Sequence, residues 1–318
     1  MTIKGKMMKL TMRMYQTEDD YWRIREFLRQ VFLLNDRREL SWQVYRFDYW
    51  RWHCVENIEH YQPEEVIFIW ETAAGQMAAV VHPEGKGEVF MHTHPNWRTP
   101  GLEAEMLAVA EQHLADIGKN NQRKLRVWTN EHDTLRQDIL TRCGYTKNSG
   151  PEYQRRRPMT MPIPDTPIAS GYMVRSLGDG LELLERCYAS GLAFHPDDLQ
   201  CALDNRADVS WYRHIQNAPL YRRDLDIVAI ASDGAVASFC TIWFDDVTRT
   251  GAFEPVATVP AHQRRGLGKA VMFEGLRRLK RLGATMAYVG SYSPEAGALY
   301  ASVGFTDYDL SEPWVKEL

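Results

Sequence analysis

Six consecutive residues, Gln263-Arg264-Arg265-Gly266-Leu267-Gly268, hold the densest chemical signal in the sequence. They join a β-rich run ending at Pro260 to an amphipathic, helix-like one. A helix start leaves several backbone N–H groups without partners and carries partial positive charge. Glycine lets such a backbone approach a ligand and accepts positive φ, and successive amides in a turn cradle an anion. Arg264, Arg265 and Lys269 add full charges at the rim, so a pyrophosphate fits. Two familiar phosphate loops are excluded. A dinucleotide fingerprint requires glycine where Val271 stands; a Walker loop requires glycine at Gln263 and a hydroxyl residue at Ala270. The plain alternative is a helix start with solvated arginines.

The surroundings decide between them. After the loop and its helix comes "LYASVGF", Leu299 to Phe305. Q-x-x-G-x-G after a strand, followed by L-Y-x-x-x-G-F, resembles the pattern of GNAT-type N-acetyltransferases over most of residues 172–310. The resemblance implies that the loop opened by Gln263 holds the pyrophosphate of acetyl-CoA on the amides of Arg264, Arg265, Gly266, Gly268 and Lys269. It implies main-chain bonds from Val256, Ala257 and Thr258 to the pantetheine arm, with their amides polarising the thioester carbonyl. No metal is needed. Tyr300 falls on the family's tyrosine, which often protonates the departing thiolate. Ser293 stands where many relatives carry asparagine, a hydrogen-bonding candidate with shorter reach. Glu254 lies in the pantetheine strand, an even number of residues before Val256 and Thr258, and so on one face with them. A carboxylate in an apolar strand is costly unless paired or used; desolvation would suit it to take the proton of an ammonium acceptor. A salt bridge across the sheet is the alternative.

The first half repeats the order of elements with its chemistry removed. "PNWRTPGLE" aligns with "PAHQRRGLG": Arg98 replaces the glutamine, Pro100 removes a donor, and Glu103 puts a negative charge where a phosphate would sit. Leu140 occupies the tyrosine place in "LTRCGY". This copy reads as degenerate. His92 and His94, two apart, lack a third ligand at a readable spacing for a metal. The aromatic run 41–57, with Trp42, Tyr45, Tyr49, Trp50 and Trp52, reads as core or interface packing rather than a ligand cage.

Around these residues the chain must fold as α/β, an α+β mixed sheet with helices, in two tandem domains. Residues 1–157 form the degenerate copy, 158–171 a proline-rich linker, and 172–318 the catalytic domain. In the second half a hairpin (225–231, 236–244) turns at "SDGA", and strands follow at 251–259 and 285–291. Met272, Leu276 and Leu279 make one helical stripe after the loop. In the first half Leu102, Met106, Val109, His113 and Ile117 do the same. "FTDYDL" ends the second domain as its last strand.

The 318 residues, 44% of them apolar, suit two cores. A net charge of −4 gives no reason to expect a nucleic-acid or membrane partner. The five scattered cysteines suit a reducing cytoplasm, and no run has the length of a bilayer span. The sequence therefore points to transfer of an acetyl group from acetyl-CoA, directly in a ternary complex, to a small-molecule or protein amine. The alternatives are a non-catalytic acyl-CoA sensor or adaptor and a transferase for another acyl-CoA. Acceptor and oligomeric state are not legible.

Overall fold

The computed structural model describes residues 9–118 and 121–318. In chain order the first half holds β1 (Leu10–Met14), α1 (Glu18–Leu34), α2 (Val44–Tyr49), a wide π-turn helix (Trp50–Glu59), α3 (Pro63–Val66), β2 (Phe68–Thr72), β3 (Met77–Gly85), β4 (Glu88–Thr93), α4 (Pro100–His113), β5 (Asp116–Ile117), β6 (Arg123–Asn130), α5 (Thr134–Arg142) and β7 (Thr146–Lys147). Then follow β8 (Glu152–Pro158), β9 (Tyr172–Ser176), α6 (Leu181–Phe194), α7 (Leu199–Ala207), α8 (Ser210–Gln216), β10 (Asp226–Ala231), β11 (Val236–Asp245), β12 (Thr250–Thr258), α9 (Leu267–Arg281), β13 (Met286–Ser291), α10 (Pro294–Ser302) and β14 (Asp307–Glu317).

Two compact units emerge. One combines the chain to Trp50 with Cys54–Pro151 and Asp309–Leu318; the other combines Arg51–His53 with Glu152–Tyr308. The first orders its strands β1-β2-β3-β4-β6-β14, the second β9-β10-β11-β12-β13-β8. Every pairing along these paths given by a register is antiparallel except β4 with β6 and β12 with β13. The plans match strand for strand, but the sixth strands are exchanged relative to chain order: β8, next after β7, completes the second unit, and β14, from the C-terminal end, completes the first. The division read from sequence, 1–157, 158–171 and 172–318, differs here: residues 152–158 form a strand of the second unit's sheet, and the last strand pairs with β6 in the first. Three successive arginines mask the alternation of β8, in which Gln154 and Arg156 are buried and Arg155 is half-buried.

Local patterns explain most elements. Met272, Leu276 and Leu279 of α9 are fully buried against β11 and β12, while Arg278, Lys280 and Arg281 close its last turn, where cations suit the helix dipole. The α4 stripe stops short of its expected length: the helix ends at His113, and Ile117, 62% exposed, instead pairs with Arg123 of β6. Helices α7 and α8 gave no clear sequence signal; α7 buries only Ala202.

Candidate functional site

Strand β12 carries the site because its two edges are treated differently. One edge pairs with β11 as far as Thr258, and Val259 N–H donates to Ala237 O at 3.0 Å. The other pairs with β13 only over Thr250–Ala252. Since groups alternate along a strand, the N–H and C=O of Val256 and Thr258 face this splayed side. Gln263 Nε2 donates to Thr258 O at 3.2 Å and ties the loop to the strand.

A bulge precedes this stretch. Thr241 alone lies opposite Glu254 and Pro255, with Cys240 paired to Val256 and Ile242 to Phe253. Trp243 Nε1 donates to Glu254 O at 2.7 Å and satisfies the carbonyl at the irregularity. The bulge corrects the parity argument for Glu254. Phe253 and Val256 both join the core under α9, so Glu254 does not keep the simple alternation with Val256 that counting implied. Its side chain is half-buried, and its carboxylate is close enough to Tyr300 to act on that phenol.

After β12 a short 3-10 turn (Pro260–His262) leads into the loop. Arg264 (φ 62°) and Gly266 (φ 77°) both adopt left-handed backbone, a succession that aims amides into a concavity. Ala270 N–H is bonded to Gly266 O, which leaves the amides of Leu267, Gly268 and Lys269 ahead of the first intrahelical bond. No acidic residue occupies the first turn of α9. The two glycines serve different ends. Gly266 supplies its φ, and a Cβ there would meet nothing within 4 Å. At Gly268 a Cβ would come within 3.2 Å of Leu299 and 3.4 Å of Thr258, so the bare backbone lets α9, α10 and β12 converge.

The convergence encloses a cleft of about 900 Å³. Of the residues expected to hold cofactor, Val256, Ala257, Thr258, Gln263, Arg264, Gly266, Gly268, Lys269 and Ser293 line it, as does Tyr300. Glu254 and Arg265 do not. Arg265 turns to Tyr172, donating to its hydroxyl at 3.0 Å, while that hydroxyl also meets His262 Nδ1 at 2.9 Å. Ser293 Oγ accepts from Ala296 N–H and caps α10. The lining from α6, Ala193 and Phe194, had no sequence signal. Tyr300 is 6% exposed. Burial, then the Glu254 carboxylate and Cys240, push its phenol well above the ordinary tyrosine range, and Arg155 opposes them. The hydroxyl therefore stays protonated and able to donate.

The matching place in the first unit is filled by the protein itself. Thr99 caps α4 and Pro100 opens it. Glu103 is fully buried and accepts from Arg98 Nε (2.6 Å), Arg136 Nε (2.9 Å) and Thr93 Oγ1 (3.1 Å). Burial alone would raise its pKa; Arg136 and Arg98 outweigh that and hold it at about 2. Leu140 is core. His92 meets His82, a partner the sequence reading missed, at 3.0 Å between Nε2 atoms, and Trp42 packs on both rings. His94 Nδ1 accepts from Asn96 N–H instead of joining them. Among the described residues one trio, Glu131, His132 and Asp309, brings possible metal-ligand atoms within 4.8 Å, and Arg38 already pairs with Asp309. No described helix is long and apolar enough to cross a membrane.

Comparison with known proteins agrees with this geometry. Residues 184–305 match the acetyltransferase (GNAT) family. Mycothiol acetyltransferases of Paenarthrobacter aurescens and Kineococcus radiotolerans are 24% and 26% identical, over 81% and 73% of this chain and 79% and 74% of theirs. A tandem GNAT protein from the clavulanic acid biosynthesis pathway superposes with TM-score 0.65 over 97% of this chain and 98% of its own at 14% identity. A GCN5-related N-acetyltransferase from Sphaerobacter thermophilus gives 0.61 over 97% and 95% at 16% identity. The second unit thus carries a GNAT acetyltransferase domain, and with both units built on one plan the chain is similar over most of its length to tandem GNAT proteins and to acetyltransferases.

Proposed function

We propose that the second unit transfers an acetyl group from acetyl-CoA to an amine by direct attack within a ternary complex. The observation that carries this reading is the start of α9: three leading amides, two left-handed residues and two flanking cations, with no carboxylate of its own, open onto the cleft. A pyrophosphate seated there directs the pantetheine along the unpaired edge of β12, where the Val256 amide donates to the thioester carbonyl and the charge it develops. Glu254 takes the proton of the incoming ammonium, directly or through water. The amine nitrogen bonds to the carbonyl carbon, the C–S bond breaks with its electron pair on sulfur, Tyr300 gives that sulfur its proton, and the nitrogen releases its second proton to solvent to leave the neutral amide.

The curated relatives are named for mycothiol; for this chain the acceptor reading stops at an amine, on a small molecule or a protein. Calorimetric titration should find one strong acetyl-CoA site per chain, since Glu103 fills the first unit's counterpart. Purified protein given acetyl-CoA should release free thiol only when an amine is added. Binding without release across a broad amine panel would mark an acyl-CoA sensor instead. A faster rate with a longer acyl-CoA would reassign the acyl group.

A further inference from the structure

The stretch "QRRRP" (154–158), placed by the sequence division across the end of the first domain and the start of the linker, is β8, paired to β13 in the second unit. Its arginines have separate tasks. Arg156 is paired with Asp307. Arg157 is buried and donates to Val303 O (3.0 Å), Pro158 O (3.1 Å) and Pro162 O (2.7 Å), so it fastens the C-terminal end of α10. Arg155 has no carboxylate within ion-pair distance among the described residues. Its Nε donates to Ser291 Oγ at 3.1 Å, and its guanidinium lies over the rings of Tyr153 (5.2 Å) and Tyr308 (5.1 Å). It also covers the buried face of α10: a Cβ on Gly297 would stand 3.0 Å from its Nη2. Gly297 and Tyr300 are one helical turn apart and are the two buried residues of that helix.

We propose that Arg155 is a positioning residue for the acid step: an unneutralised cation, fixed behind α10 by Ser291 and two tyrosine rings, that stabilises the negative charge left on Tyr300 when its proton passes to the departing sulfur. This rests on the transferase reading above. When the C–S bond breaks and sulfur takes the phenolic proton, the phenolate remains in a buried setting beside the Glu254 carboxylate, and it persists until a proton returns from solvent. A fixed guanidinium offsets both burial and that neighbour. Arg155 already opposes the influence of Glu254 on Tyr300. Aromatic stacking in place of an ion pair keeps the charge available without a counter-ion.

The test is a double-mutant cycle on the full-length protein with acetyl-CoA and a saturating amine. Arg155→Gln should lower kcat about tenfold while KM for acetyl-CoA stays within about twofold, and Arg155→Lys should keep most of the rate. In a Tyr300→Phe background, Arg155→Gln should change the residual rate less than about twofold, because the charge it serves is gone. Acetyl-CoA titration of each variant reports that the unit is folded. Equal losses in both backgrounds, or none in either, would overturn the proposal. A wild-type protein that binds acetyl-CoA and releases no thiol with any amine would overturn the transferase reading first, and this inference with it.

Discussion

A phenol buried as deeply as Tyr300 beside a carboxylate stays protonated at neutral pH, so a proton is held at the cleft, and giving it up requires that the phenolate left behind be stabilised. Tyr300→Phe should cut kcat about a hundredfold and leave the acetyl-CoA dissociation constant nearly unchanged. Loss of binding with unaltered turnover of the bound fraction would assign the residue to packing. Glu254→Gln should lower kcat and remove the acidic limb of its pH profile; an unchanged limb would clear Glu254 of taking the acceptor's proton. At this scale the loop was legible because amides, glycines and flanking cations are local features. The setting of Glu254 was not, because counting residues by twos cannot reveal a bulge in which two of them oppose Thr241 alone. Arg155 was hidden for another reason: its neighbours, Ser291, Gly297 and Tyr308, lie more than a hundred residues away in the chain.

Helices α9 and α4 hold matching places in their units and present opposite N-termini. The first presents bare amides, and the second has drawn its own Glu103 into a cluster with Arg98 and Arg136. Because the folded pKa of Glu103 lies below its unfolded value, the cluster contributes stability that is present above about pH 4.5 and lost as pH falls towards 2. From the size of that shift the contribution is about 3 kcal/mol. Acid titration should therefore show a steep loss in that window for the wild type. Glu103→Gln should be less stable at neutral pH, having left the buried Arg136 guanidinium with only the Asp133 carboxylate, 3.8 Å away, as counter-charge, and flatter below pH 4.5. Identical slopes would mean that the charge is not what holds the cluster. A loss of similar size between pH 6.5 and 4 is expected from His82, whose folded pKa burial has lowered to about 4. The replacement of Gly268 by Glu103 was legible as a reversal of charge. The arginine that completes it, Arg136, was not, since it lies on another helix.

Over the whole chain, the repeated order of elements was plain in the sequence and the ownership of two strands was not. β8 hid behind consecutive arginines, and β14 reads like any terminal strand. A fragment of residues 172–318 would lack β8, baring the edge of β13 at Tyr288 and Val289 and removing Arg157 from Val303. It should be poorly soluble and fail to bind acetyl-CoA. A fragment of residues 152–308 retains the whole cleft and should bind it. Equal binding by the two would show that β8 is dispensable.

The exchange of sixth strands also sets an order of events at the ribosome. The first unit's sheet waits for residues 309–317 to pair with β6, and these are synthesised only after every other strand of both units. Until then the edge of β6 stays open, although an N-terminal domain ordinarily closes while translation continues. The unit that closes earliest during synthesis should thus be the second, and the half made first should be the last to mature.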